Sequence, residues 1–472
     1  MTPFMHFSGV AFAALLLAGC AGVNFDQALQ DANSASSNFT QGKLELSRTQ
    51  QQSQARSQLA SELLGKLLTQ DDAVQLALTN SPAVQTLLAQ SWAALAAANQ
   101  TGRIANPVFS FERIRFANEL ELGRLLSFGL LDLITLPRRL DISRSQTALA
   151  QAQLGANVVG QVTQVRHAWV RAVAAQQTLQ YAEQINVTAQ ASTELARRMQ
   201  QVGNFTKLQR ARQQSFYADS VARLASSQYA RTAAREELTR LLGLTDAQSA
   251  QLRLPERLPD LPKEARPPDV VSAAASQQRL DVQLARNQLD LAGKSQGLNL
   301  LNSVIDVELG NRRNTVFDNS RGTSTPKRGF ELDIRLPIFD WGSARRELFN
   351  AQSLAAANRY ESTVRGASSQ LRESYSSYRT TYDIARHYRD EIVPLRKTMA
   401  EENVLRYNGM LISVFELLAD TRDQISSVQA AINAYQQFWL ADAALAASIT
   451  GKPTAIGAMP TAGGGATLEA GH

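Results

Sequence analysis

Two periodicities alternate along this chain. Over residues 330–336, Phe330, Leu332, Ile334 and Leu336 alternate with Glu331, Asp333 and Arg335. A period of two gives a strand with one apolar and one charged face. Pro337 ends the pattern, and after Asp340-Trp341-Gly342 a long helix is predicted, with no proline until Pro394. In that helix Leu371, Tyr375, Tyr378, Tyr382, Ala385, Tyr388, Ile392 and Leu395 recur at close to 3.5 residues, the coiled-coil period. A kink or short break is expected at Pro394.

The same alternation recurs earlier in the chain. Thr69 caps a helix whose first turn carries Asp71 and Asp72, and Asn80-Ser81-Pro82 separates it from a second helix ending near Arg103. A strand is predicted over 108–116, a polar loop over 118–123 and a second strand over 125–134. Leu136-Pro137-Arg138-Arg139 leads into a helix over about 141–200. At about 1.5 Å per residue, roughly 60 residues reach about 90 Å, so this helix must pack lengthwise against others. Its stripe is Leu154, Val158, Val162, Val165, Trp169, Ala172, Ala175, Leu179 and Ala182, again at 3.5 residues per step. Gly203-Asn204 marks a turn, and a returning helix over 207–242 ends at Gly243. The second half has a helix over about 269–291, a strand over 303–309, a polar loop over 312–327 and the strand over 330–336. Its long helix turns at Asn408-Gly409, and a last helix ends at Gly451.

One helix–strand–strand–long helix–helix unit is therefore present twice. Arg138-Arg139 corresponds to Arg345-Arg346, Gly203 to Gly409 and Gly243 to Gly451, at offsets of 207, 206 and 208. The units span 69–252 and 269–452. Residues 253–268, with five prolines, read as a linker, residues 21–68 as an extended polar segment with some helix near 56–68, and residues 453–472 as a disordered tail.

Composition narrows the function. The 48 Lys and Arg against 42 Asp and Glu leave a net charge of +6, spread along the helices rather than massed in a nucleic-acid-binding patch. Cys20 is the single cysteine, which excludes an intramolecular disulfide and a Cys-based metal site. His167 and His387 are not repeat equivalents and mark no metal site. No nucleotide-binding or hydrolase motif is present in a credible setting, so no enzyme, cofactor or metal is expected.

Residues 10–18 form an apolar run too short to span a membrane as a permanent helix, followed by Gly19-Cys20. Residues 1–20 fit a signal peptide, although no Lys or Arg precedes the run. Leu17-Ala18-Gly19-Cys20 resembles a bacterial lipobox, which implies a lipid-anchored Cys20. Ala21 after the cysteine implies delivery to the outer membrane.

Apolar-out, charged-in strands match a transmembrane β-barrel. Four strands cannot close one, and open edges in lipid leave backbone groups unpaired, so closure requires other subunits. Three chains of four strands would supply twelve. Asp306, Glu308, Glu331 and Asp333 are the expected lumen residues, giving an acidic, cation-favouring surface. The competing class is a lipid-anchored structural coiled-coil protein of the envelope without a pore, which predicts no such alternation.

With Leu336-Pro337-Ile338-Phe339-Asp340-Trp341-Gly342 between strand and long helix, the helix over 71–78 and the duplicated tips, the chain resembles the outer-membrane factor family of TolC-type efflux proteins, in its lipoprotein branch, over roughly 70–452. The first copy departs from the motif, with no glycine after Pro137. The resemblance implies a mainly α fold, trimeric, with a twelve-stranded barrel continuous with a periplasmic helical tunnel. It implies a passive exit duct for efflux or type I secretion, joined to an inner-membrane pump by a periplasmic adaptor. Pro137, Pro337 and Gly342 would form the bend from barrel to tunnel. Val202, Gly203, Asn204, Phe205 and Thr206, with Asn408, Gly409, Met410 and Leu411, approximate the family's adaptor-docking tips. Arg198, Lys207, Arg406, Tyr407, Asp420 and Arg422 lie close enough to those tips to gate the entrance, as does Arg197.

Overall fold

The computed structural model describes residues 25–40, 42–276, 279–302, 306–318, 320–336, 338–339 and 341–453. The expected signal peptide and lipidated Cys20, Pro337 of the expected bend and the tail from 454 lie outside them. Contacts divide the chain into two units: Met1–Ala32 with Ala89–Leu154 and Asp281–Gly366, and Asn33–Leu88 with Gly155–Leu280 and Ala367–His472. In chain order the elements are α1 (Phe25–Thr40), α2 (Gln50–Leu64), α3 (Gln70–Asn80), α4 (Pro82–Thr101), β1 (Val108–Phe116), β2 (Glu119–Gly129) and α5 (Leu130–Gln201). Then come α6 (Lys207–Leu242), α7 (Asp246–Gln251), α8 (Pro268–Ser276), α9 (Leu280–Asn302), β3 (Asp306–Asp318), β4 (Thr323–Arg335) and α10 (Ser343–His387). A π-helical turn (Tyr388–Ile392), α11 (Val393–Asn408) and α12 (Val414–Ile449) complete the chain. Among the described residues no helix is long and apolar enough to cross a membrane.

The first unit holds one antiparallel sheet in the order β1-β2-β3-β4. Both hairpins are longer than their sequence suggests. The segment 118–123, read as a polar loop, belongs to β2 from Glu119, and the turn is made by Ala117 at φ 48°. Most of 312–327, also read as a loop, is strand, closed by a turn at Gly322 (φ 64°). Polar residues do not break a strand when the cross-strand ladder satisfies its backbone and one face is open to solvent.

β2 ends at Gly129, five residues before the expected boundary, and α5 begins at once. Pro137 therefore lies inside α5, not ahead of it. Its missing N–H leaves the Leu133 carbonyl without its intrahelical donor. Arg139 fixes this stretch: its guanidinium donates to Thr101 O (3.1 Å), Arg103 O (2.8 Å) and Asp132 Oδ1 (2.8 Å), tying the end of α4 to α5. Its repeat counterpart Arg346 has a different role, donating to Trp341 O. Deeper in the unit Ser145 and Lys294 converge on one Asp290 oxygen, both at 2.7 Å, which joins α5 to α9 and holds the Asp290 carboxyl below the usual range.

The segment before residue 69 is more helical than expected: α1 covers Phe25–Thr40, and α2 takes in most of the helix expected near 56–68. α1 buries Phe25 beside Trp92 at 5.9 Å between ring centroids, and α2 starts on a capping box from Thr49 and Gln52. The apolar residues that pin these helices, Phe25, Ala60, Leu63 and Leu64, are sparse among Gln and Ser, so the stripe is weak in sequence.

In the second unit Val158, Val162, Val165, Trp169, Ala172, Leu179 and Ala182 of the predicted α5 stripe are all buried. So are Val159, Ala168, Val170 and Val173, so α5 is covered over more than one seam. Trp169 Nε1 donates to Leu68 O at 2.9 Å. α6 has the predicted bounds, with a Thr206–Gln209 capping box and Gly243 at φ 66°.

The proline-rich segment is a fixed strap, not a free linker. Leu258 and Leu261 are buried. Tyr382 donates to Pro262 O (3.1 Å) and Lys263 O (2.9 Å), Tyr375 to Arg266 O (3.1 Å), and Trp439 to Pro259 O (3.1 Å). Backbone carbonyls of this segment, two of them from prolines, accept what Tyr375, Tyr382 and Trp439 offer. The expected helix over 269–291 is instead two, α8 and α9. The break expected near Pro394 takes the form of the π turn, which accommodates a proline that cannot complete an ordinary helical ladder.

Candidate functional site

Three places carry the predicted functional residues, and each is described within its own unit. The first is the sheet. Residues directly opposite on paired strands share a face. Asp306 stands opposite Arg335, Glu308 opposite Asp333 and Gly310 opposite Glu331, so the four predicted lumen residues fall on one face. That face is crowded: a Cβ added to Gly310 would lie 2.6 Å from Leu125 Cδ1. It is also less acidic than expected. Arg312 donates to Glu331 Oε2 (2.9 Å) and to Glu112 Oε2 (2.8 Å), linking β3 to β4 and β1, and Asn314 donates to Glu121. A strand ending at 309, as the polar residues after it suggest, leaves out Arg312. Continuing the alternation by three residues puts it on the same face as Glu308 and Gly310.

The opposite face carries Phe109, Leu126, Phe128, Val307, Leu309, Phe330, Leu332 and Ile334. Phe330 is 82% exposed and Phe109 64%. Leu126, Phe128, Leu332 and Ile334 are exposed as well. Among the described residues β1 and β4 have no strand partner along their outer edges.

The second place is the join from β4 to α10. Gly342 is buried at φ 72°, a conformation that favours glycine, and its carbonyl accepts from Arg346 N at 2.9 Å as α10 starts. Ile338, Phe339 and Trp341 are exposed around it. Of the three predicted bend residues, Gly342 makes a turn, Pro137 lies within a helix and Pro337 is outside the described residues.

The third place is the pair of helix-hairpin turns. In the first, Gly203 takes φ 82°, Asn204 N and Phe205 N both donate to Met199 O, Phe205 is buried and Val202 is exposed. In the second, the left-handed residue is Met410 (φ 58°) and not Gly409, whose φ is −80°. The turns are thus not conformational copies, although the sequence pairs Gly203 with Gly409. Leu411 N donates to Arg406 O, which presents Met410 and Leu411 outward, 93% and 77% exposed.

The gate candidates divide into three groups. Arg198 and Arg197 are engaged on their own helix by Glu194, at 2.8 Å each. Those two guanidiniums, Arg197 first, bring the Glu194 carboxyl down to about 2. Asp420 and Arg422 bridge helices: Asp420 accepts from Asn403, and Arg422 donates to Gln213 Oε1 (3.2 Å) and Arg212 O (3.4 Å), 4.4 Å from the Phe216 ring centroid. Lys207, Arg406 and Tyr407 are exposed and make no ion pair among the described residues. Arg422 also lines an open cleft of about 360 Å³ with Arg212, Phe216, Asp219 and Arg223. Asn403, Gln213 and Phe216 were not singled out in the sequence, because a partner on another helix leaves no local signal.

No family model and no curated protein matches this sequence. Solved structures do. A membrane protein from Pseudomonas aeruginosa superposes with a TM-score of 0.67 at 19% identity, over 80% of this chain and 93% of its own. The outer membrane protein VceC of Vibrio cholerae gives 0.66 at 16% identity, over 81% and 96%. The CmeC outer membrane channel of Campylobacter jejuni gives 0.67 at 14% identity, over 87% and 89%. The chain has an outer-membrane channel fold. At these identities the likeness is one of fold, and it spans nearly the whole of each of these chains. It agrees with a mainly α chain carrying one small antiparallel sheet.

Proposed function

We propose that this chain is one subunit of a trimeric outer-membrane exit duct, serving an efflux or type I secretion system. One observation carries the reading. Among the described residues the sheet has two open edges, an exposed apolar face and an opposite face on which Arg312 pairs with Glu112 and Glu331. In lipid every backbone group must be satisfied, so such a sheet is complete only when its edges meet other copies. Three copies of four strands make a twelve-stranded barrel with the apolar face to lipid and the Arg312–Glu112–Glu331 network to the lumen. Cys20 carries the lipid anchor. The duct performs no chemistry, and energy comes from an inner-membrane pump through a periplasmic adaptor. Met410, Leu411 and Val202, apolar and exposed on the tips, suit docking of the adaptor's helical hairpin.

Asp420 and Arg422 are the residues of the gate set whose partners lie on a neighbouring helix, which makes them its working members. The Asp420→Ala variant is expected to raise the conductance of channels in planar bilayers above that of the unaltered protein, with Lys207→Ala changing it less. Equal conductance for Asp420→Ala and the unaltered chain would remove the gate role. Absence of any conducting unit from the purified unaltered protein would remove the duct reading itself.

A further inference from the structure

The two faces of the sheet differ in charge balance as well as in polarity. Every acid of the four strands, Glu112, Glu119, Glu121, Asp306, Glu308, Asp318, Glu331 and Asp333, falls on the charged face by register. The apolar face has no acid, yet it carries Arg113, Arg115, Arg124, Arg313 and Arg328. Three of them form a single row, with Arg124 directly opposite Arg313 and Arg313 directly opposite Arg328. Like charges in directly opposed positions destabilise a sheet. Arg124 finds one neutral partner, Thr315 Oγ1 at 2.9 Å. Among the described residues Arg113, Arg115, Arg313 and Arg328 have no carboxylate partner, whereas Arg312, on the other face, has two.

The row has a definite position along the strands. It follows the apolar rows Val307–Ile334, Phe128–Leu309–Leu332 and Phe109–Leu126–Asn311–Phe330 on the side of the hairpin turns. From Val307 to Arg313 is roughly 20 Å along a strand at about 3.3 Å per residue. Beyond the other end of the apolar rows lies Trp341, an aromatic suited to a membrane interface. The arginines therefore sit where an apolar belt meets the headgroup layer remote from the helices. Guanidinium binds phosphate through two parallel hydrogen bonds, and an anion between adjacent guanidiniums removes their mutual repulsion.

We propose that the row Arg124–Arg313–Arg328, extended by Arg113 and Arg115, binds the phosphate groups of a phosphorylated membrane lipid whose acyl chains lie on the apolar rows. The proposal rests on the barrel reading above, which turns this face to lipid. A protein site is argued against by the belt directly beneath the arginines, apolar except for Asn311, which acyl chains would bury in any closed barrel.

The test uses the full chain in detergent and a fluorescent diphosphorylated lipid A, with the dephosphorylated lipid as its control. The unaltered protein is expected to prefer the phosphorylated lipid by about tenfold or more, given the attraction each near-surface arginine adds. The Arg313→Gln, Arg328→Gln double variant is expected to lose that preference while keeping its helical circular dichroism and its channel conductance. Lys327→Gln, opposite Asn314 on the charged face, should leave the preference unchanged. The proposal is overturned if the double variant retains the preference, if Lys327→Gln abolishes it equally, or if millimolar inorganic phosphate displaces the lipid fully. Any of these results with conductance intact would leave the duct reading standing, whereas loss of conductance from the unaltered protein would remove that reading first.

Discussion

Replacing Gly243 with alanine is expected to lower the melting temperature by at least about 5 °C, corresponding to a loss of about 3 kcal/mol or more. Two effects add at this position. Gly243 has φ 66°, where a Cβ costs about 1 kcal/mol by itself. That Cβ would also lie 2.3 Å from Pro82 Cδ and 2.7 Å from Ser81 Cα, both parts of a rigid helix start. Neither can swing aside as the end of a flexible side chain would. Asn80 locks the same contact, its amide donating to Leu242 O (3.2 Å) and Gly243 O (3.1 Å). The end of α6 is thereby set against the break between α3 and α4. Gly203 supplies the control. It also has positive φ, at 82°, but no atom lies within 4 Å of its would-be Cβ. Gly203→Ala should cost only about 1 kcal/mol. Thermal melts of both variants, followed by circular dichroism, would refute this account if they matched.

The Phe438→Ala variant is expected to lose about 3–5 kcal/mol, the range for emptying a buried aromatic site. Phe438 is fully buried, with its ring centroid 5.6 Å from Tyr378, 5.7 Å from Tyr382 and 5.1 Å from Trp439. Those three neighbours also hold the proline-rich strap: Tyr378 accepts from Arg266 N, Tyr382 bonds Pro262 O and Lys263 O, and Trp439 bonds Pro259 O. The loss should therefore spread in a definite direction. Hydrogen exchange is expected to accelerate in the strap amides around residues 258–266 before it does in α6, since removing the ring frees the tyrosines that fix the strap. Phe438→Leu, which fills most of the space, should be milder. Uniform acceleration across the unit would show that the ring supports α12 generally and not the strap.

Much of this architecture is legible from periodicity, and the exceptions have physical causes. The bounds of β1 and α6 follow from alternation and from capping residues, because both elements are punctuated by local chemistry: Pro107 before β1, Thr206 and Gly243 around α6. Glu119, Arg312, Arg313 and Lys327 predict loop by their polarity, which makes the expected hairpins shorter than the observed ones. In a sheet exposed on both faces of the single chain, polarity marks the charged face and not the end of the strand. Alternation predicts a strand to Ile134 and a proline-marked lead into a helix near 141, yet the run Leu130–Leu136 is already helical ahead of Pro137. For the strap, five prolines predict no regular element, and a linker is the local expectation. Its fixation depends on tyrosine hydroxyls more than a hundred residues away, which no local window contains. Among the candidate functional residues, the acidic strand positions were legible by parity. The partners of Asp420 and Arg422 were not, because helix-to-helix register is set by packing rather than by sequence spacing.

The central claim is that the sheet is one third of a closed wall. It is tested most directly by native mass spectrometry of the protein extracted from outer membranes in mild detergent. The account predicts a dominant species containing three copies of the chain, persisting at dilution because the open edges of β1 and β4 are satisfied between subunits. A dominant single-chain species that still folds, with those edges left open in detergent, would contradict it.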